Sequence, residues 1–141
     1  GMNEFERMVA NVLDMLELAW CRNPATNGGY KIPIPFLGGD TIWFYPDFLL
    51  WTDSGVWAIE PKGKHLLEAA VVQKLLDISS IENLPTKLYV AFVLEGSYSQ
   101  GLDGRWTKNG KDGYTLVKKT STGLRAINSA VLSDLISELL Y

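Results

Sequence analysis

The chain has 141 residues, 47% of them hydrophobic and 21% charged, which fits one globular domain (1–141) with a core of its own and excludes a disordered chain. No apolar run approaches the roughly 20 residues needed to cross a bilayer and no signal-peptide pattern opens the chain, so no membrane association is expected. The formal net charge of −3 argues against a grip on nucleic acid by bulk electrostatics alone, and the single Cys21 excludes an internal disulfide and points to a cytoplasmic protein.

Gly1 before Met2 reads as the remnant of a tag. Residues 3–20 then read as an amphipathic helix. Phe5, Met8, Val9, Val12, Leu13, Leu16 and Trp20 recur at helical spacing, and Asn3 followed by Glu6 resembles a capping box. Residues 21–29 are a loop by composition. Residues 30–36 alternate around Pro33 and Pro35, which lack donors and confine that strand to an edge.

The next two strands, about 42–51 and 56–62, carry the chemistry. The first holds Asp47 and the second holds Glu60 and Lys62, two residues apart and so on one face of the strand. Between them Thr52-Asp53-Ser54-Gly55 is turn chemistry. With Asp53-Ser54 as a two-residue loop, Asp47 faces Glu60; with Ser54-Gly55 as the loop, Asp47 faces Lys62. In either register the opposed Cβ atoms lie about 4.5–5.5 Å apart. Two carboxylates that close are costly unless they share a cation or one takes up a proton. Mg²⁺ or Mn²⁺ suits such oxygen ligands, and Lys62 beside the metal would orient or deprotonate an attacking water. The plainer reading is a cross-strand salt bridge. The apolar surroundings, Phe48 to Leu50 and Val56 to Ile59, make an uncompensated charge there expensive.

Residues 64–79 read as a second helix with a broad apolar surface interrupted by Gln73 and Lys74. His65, the single histidine, sits just beyond the motif, where it would contact a phosphate or simply lie at the surface. Residues 87–94 are a continuous apolar run, the pattern of a buried parallel strand reached by a crossover. Residues 96–104 read as loop. Residues 105–108 and 114–119 read as a hairpin around Asn109-Gly110-Lys111-Asp112-Gly113, and a last helix, capped by Ser121 or Thr122, is expected to about residue 140. Charge is uneven along the chain. Residues 1–60 carry three basic and eight acidic groups, whereas residues 100–125 carry six basic and two acidic ones. A basic ribbon near an acidic site suits weak phosphate binding, and equally a solvated charged surface. The order of elements predicts an α/β domain with a mixed sheet.

Pro46-Asp47 and then Glu60-Pro61-Lys62 resemble the signature of the PD-(D/E)xK nuclease superfamily. The wider runs, Tyr45 to Leu50 and Trp57 to Gly63, are most similar to the endonuclease domain of type III restriction enzymes. The resemblance in element order spans roughly residues 4–95. It implies a restriction-endonuclease-like core, a mixed β-sheet flanked by helices on both faces, and a Mg²⁺-dependent cleavage of DNA. It also implies metal ligation by Asp47, Glu60 and the Pro61 carbonyl, with Lys62 positioning the water. Glu6 would reach the metal through water, or would merely cap its helix; Gln73 or Lys74 would face the substrate. The implied partners are DNA, a helicase, a methyltransferase and a second copy of the chain, within a restriction–modification system. The chain has no Gly-x-x-x-x-Gly-Lys-[Ser/Thr] loop, so a motor would be supplied elsewhere. The alternative is a catalytically inactive module of the same fold that binds nucleic acid or a partner protein.

Overall fold

In a computed structural model the protein is described over residues 2–24, 29–35, 41–61, 87–120 and 123–140. The first helix, α1 (Glu4–Met15), begins on the predicted box: Asn3 Oδ1 accepts the Glu6 N–H at 2.8 Å, and the Glu6 carboxylate accepts the Asn3 backbone and side-chain N–H groups at 3.3 and 3.1 Å. Val9, Ala10, Val12 and Leu13 form its buried stripe. It stops short of the expected residue 20 because Glu17 adopts a left-handed conformation, φ 59°, which turns the chain out of the helix. Trp20 consequently opens a strand, β1 (Trp20–Arg22), and sets its ring edge-on against Phe48.

A two-stranded antiparallel ribbon follows, β2 (Ile32–Pro35) with β3 (Thr41–Phe44), so the proline-bearing strand has a single partner, as its missing donors require. The expected strand 42–51 is two strands. Tyr45, Pro46 and Asp47 separate β3 from β4 (Phe48–Thr52), because Pro46 offers no ladder N–H and the chain leaves one sheet for another there. Together with β5 (Gly55–Pro61), β6 (Leu88–Gln100), β7 (Trp106–Thr120) and β8 (Gly123–Ser129), β1 and β4 form a six-stranded sheet of order β1-β4-β5-β6-β7-β8. Its β5–β6 pair is parallel, as the apolar run at 87–94 predicts, and the other pairs are antiparallel. The fold is mixed α/β.

The C-terminal half departs from expectation. Residues 105–120 are not a hairpin closed at 109–113. They make one long strand whose partner is β6, itself extended through the expected loop to Gln100. The reversal lies at residues 101–105, where Gly101 N–H donates to the Arg105 carbonyl at 2.8 Å and Gly104 takes φ 84°. The Asn-Gly and Asp-Gly pairs are absorbed by register shifts opposite Glu95–Tyr98. Fully buried Thr115 stabilises that irregularity, donating to the Gly96 carbonyl and accepting the Tyr98 N–H. Residues 123–129 are likewise strand rather than helix, since Leu124 and Ala126 pack on one side of the sheet and Ile127 on the other. Only α2 (Leu132–Ser137) and a 3₁₀ turn (Glu138–Leu140) remain of the expected last helix, with Val131 at its N-cap and 49% exposed.

The sheet buries both faces. On one, α1 and α2 pack over Phe48, Leu50, Trp57, Ile59, Ala91, Val93 and Leu116. On the other, Leu49, Ala58, Val90, Phe92, Leu94 and Val117 are buried with Ile32 of the ribbon and with Tyr98 and Trp106. Each fully buried Phe, Leu or Ile contributes about 1.5–3 kcal/mol. Among the described residues no helix is long and apolar enough to cross a membrane.

The β4–β5 register is Phe48↔Ile59 through Thr52↔Gly55, so Asp53-Ser54 is the loop. Gly55 has φ 145°, and a Cβ there would lie 2.4 Å from the Lys87 carbonyl oxygen, which accepts the Val56 N–H at 2.9 Å. Gly55→Ala is therefore expected to destabilise the protein by about 2–3 kcal/mol in urea unfolding, from backbone strain and overpacking together. A loss below about 0.5 kcal/mol would show that this contact does not hold the hairpin to β6.

Candidate functional site

The register that places Phe48 opposite Ile59 puts Asp47, one residue beyond the ladder, against Glu60. The Asp47 backbone N–H donates to Glu60 Oε1 at 3.3 Å. Glu60 is 3% exposed, lies between Ile59 and Pro61 in β5, and so shares the side of the sheet occupied by Ala58. Asp47 is half-buried. Its Oδ2 is shut off from solvent and finds no hydrogen-bond donor among the described residues. A carboxylate oxygen in that condition, next to the buried Glu60 side chain, is stabilised by a cation or by a proton.

What holds Asp47 there is a residue that the sequence reading passed over as loop. Asn23, 6% exposed, donates its side-chain N–H groups to the Tyr30 and Pro46 carbonyls at 2.7 and 2.8 Å. Its Oδ1 accepts the Tyr30 N–H at 2.7 Å, and its own backbone N–H donates to the Asp47 carbonyl at 2.8 Å. One amide thereby ties the end of β1 and the start of the ribbon to the Pro46-Asp47 step. An Asn before a Pro in a glycine-rich stretch is the only sequence signal for it, and that pattern marks turns of every kind.

Glu6 is not part of this arrangement in the way the resemblance implies. Its carboxylate is committed to the helix cap, and α1 packs on the face of the sheet opposite to the one Glu60 occupies. Pro61 ends β5 and is buried, following Glu60 directly. Lys62, His65, Gln73 and Lys74, with the expected helix 64–79, lie outside the described residues. Among the described residues no three His, Cys, Asp or Glu side chains gather at metal-binding range. The acids that the described residues bring to this point are Asp47 and Glu60, oxygen donors of the kind that suits a hard divalent cation keeping several waters.

The comparisons with known proteins add nothing here: no family model, curated protein or solved structure matches the chain.

Basic groups fall into two clusters. Pro61 pairs with Val93, and β6 then continues seven residues further to Gln100, with the first half of β7 beside it. At about 3.3 Å per residue this arm extends roughly 20 Å past the end of β5 that bears Glu60. Lys108 and Lys111 belong to the arm and Arg105 to the turn before β7, and Lys108 Nζ lies 5.8 Å from the Tyr98 ring centroid. Tyr98 and Trp106 are buried on the same side of the sheet as Glu60. Lys118 is level with Ile59 through Ala91, one rung from Glu60 but on the opposite side of the sheet, with Arg125 its partner in β8.

Two outcomes follow. Asn23→Asp turns an amide that donates to two carbonyls into a carboxylate facing them, and is expected to cost about 2–4 kcal/mol, read as a lowered urea midpoint. Asp47→Asn removes one of two adjoining carboxylates, and is expected to raise Tm in chelator-treated protein by a few degrees, about 1 kcal/mol, while abolishing any rise produced by Mn²⁺. An unchanged or lowered Tm for Asp47→Asn in chelator would show that the orphaned oxygen carries no strain.

Proposed function

We propose that the chain is a metal-dependent DNA endonuclease domain of the PD-(D/E)xK type, most like the cleavage domain of type III restriction enzymes. The observation that carries this reading is the buried Asp47 Oδ2, without a hydrogen-bond partner among the described residues, beside Glu60 on the literal residues of the motif. The proposal extends to the architecture. A parallel β5–β6 pair needs a crossover, and the helix expected over 64–79 would supply it, covering the sheet face opposite α1 and α2.

In this reading Asp47 and Glu60 hold Mg²⁺ or Mn²⁺ through their carboxylates, with the Pro61 carbonyl completing the protein's share. The cation would supply the charge that lowers the pKa of a bound water and neutralises the phosphoryl oxygens. Lys62, two residues beyond Glu60 in the sequence, would orient the water for in-line attack at phosphorus and offset the charge that builds there. Asn23 keeps Asp47 in place. The basic arm and its turn supply Arg105, Lys108 and Lys111 to the backbone of the duplex, a modest and salt-sensitive contribution consistent with a net-negative chain. Sequence choice and a motor would come from methyltransferase and helicase components, and cutting both strands would call for two copies.

The experiment is nicking of supercoiled plasmid with Mg²⁺ or Mn²⁺. The expected result is cleavage that disappears in chelator and falls at least about a hundredfold in Asp47→Ala and in Lys62→Ala. Cleavage that survives both substitutions belongs to another site or another protein. A second reading, an inert nuclease-fold module, is favoured by one observation: Glu6 serves its helix cap, leaving two acids at the site among the described residues. DNA binding without measurable Mn²⁺ affinity in calorimetry would select it.

A further inference from the structure

The opposite face of the sheet carries a second polar site. A cavity of about 210 Å³ lies between the β4–β5 loop, β5, β7 and the C-terminal 3₁₀ turn, lined by Ser54, Trp57, Tyr89, Lys118, Lys119 and Leu139 among others. Trp57 and Tyr89 stack in its wall, their centroids 4.8 Å apart. The Trp57 indole N–H is buried and has no acceptor among the described residues. Lys118 is 7% exposed, with its ammonium 6.0 Å from the Trp57 ring centroid.

Among the described residues that ammonium makes one hydrogen bond, to the Glu138 carbonyl at 2.9 Å. The β7–β8 register sets Lys118 directly opposite Arg125, a like-charge pair that destabilises a sheet unless an anion lies between or beside the two. Lys119 adds a further positive charge, and among the described residues no acidic side chain lines the cavity. The Glu138 carboxylate offsets part of this charge but not the cost of burial, which pushes the Lys118 ammonium below its ordinary pKa.

We propose that this cavity binds a phosphate group, anchored by Lys118 against the Trp57–Tyr89 wall. The volume falls below the 300–1,000 Å³ or so of pockets for drug-sized ligands, so the group enters alone or as the end of a chain that stays outside. The donors are point charges on flexible stems rather than a guanidinium fork, which suits a tetrahedral oxyanion better than a planar carboxylate. The source is either free phosphate or the terminal phosphate of a nucleic acid. The site stands whether or not Asp47 and Glu60 bind metal.

The test follows the Trp57 indole N–H by ¹H–¹⁵N NMR, assigned through its loss in Trp57→Phe, during titration with inorganic phosphate at constant pH and ionic strength. Phosphate is expected to move this resonance saturably while chloride does not, and Lys118→Gln is expected to weaken binding about tenfold or more. Arg22→Gln, on the edge strand β1, should leave it unchanged. A resonance that phosphate does not move overturns the proposal, as does equal affinity in folded Lys118→Gln; the wild-type titration decides alone if that variant does not fold. A 5′-phosphorylated oligonucleotide that binds more tightly than its 5′-hydroxyl twin identifies a nucleic-acid end, and equal binding of the two beside a positive phosphate titration identifies free phosphate.

Discussion

The pairing of β4 with β5 is the constraint on which the remainder of the molecule depends. A slip of one residue would turn one strand over relative to the other, so that Phe48 and Leu50 no longer faced α1 and α2 together with Trp57 and Ile59. The same slip would carry Asp47 away from Glu60. Two devices hold the register. Gly55 lies against the Lys87 carbonyl where no side chain fits, and Asn23 grips the Pro46 and Asp47 carbonyls from the far end. Core formation and the convergence of the two acids are thus consequences of one alignment.

The two faces of the sheet differ in charge. Buried Glu60 lies on one, beside half-buried Asp47, and buried Lys118 lies on the other, one rung along and opposite Arg125. Among the described residues each place leaves a buried polar atom without a hydrogen-bond partner, Asp47 Oδ2 at one and the Trp57 indole N–H at the other. Folding alone does not favour such atoms, since each forfeits hydration without a compensating bond.

Much of the domain's first half was legible because its signals are local. Asn3 and Glu6 meet through the geometry of a single helical turn, and the unbroken apolar run around Val90–Leu94 has few uses other than a strand buried on both faces. The second half misled for the same reason. Asn109-Gly110 and Asp112-Gly113 favour a turn in isolation, but β6 offers a long partner edge, and pairing along it recovers more backbone hydrogen bonds than a tight hairpin would, at the cost of bulges. The four-residue recurrence of Ile127, Val131, Leu135 and Leu139 was likewise a coincidence over its first member, which belongs to a strand.

The amino-acid sequence by itself determined the class of the domain, the capped first helix, the parallel strand, and the shortlist of chemistry at Asp47, Glu60 and Lys62, because these rest on periodicity, local hydrogen bonding and residue type. It left two hairpin registers open and assigned Asn23 to a loop. Tertiary structure alone chose the register that sets Asp47 against Glu60, put α1 on the face away from Glu60, and gathered Trp57, Lys118 and Arg125 on the α1 side. Those outcomes depend on which strands become neighbours, and strand adjacency is set by burying two apolar faces at once, a condition no short stretch of chain contains.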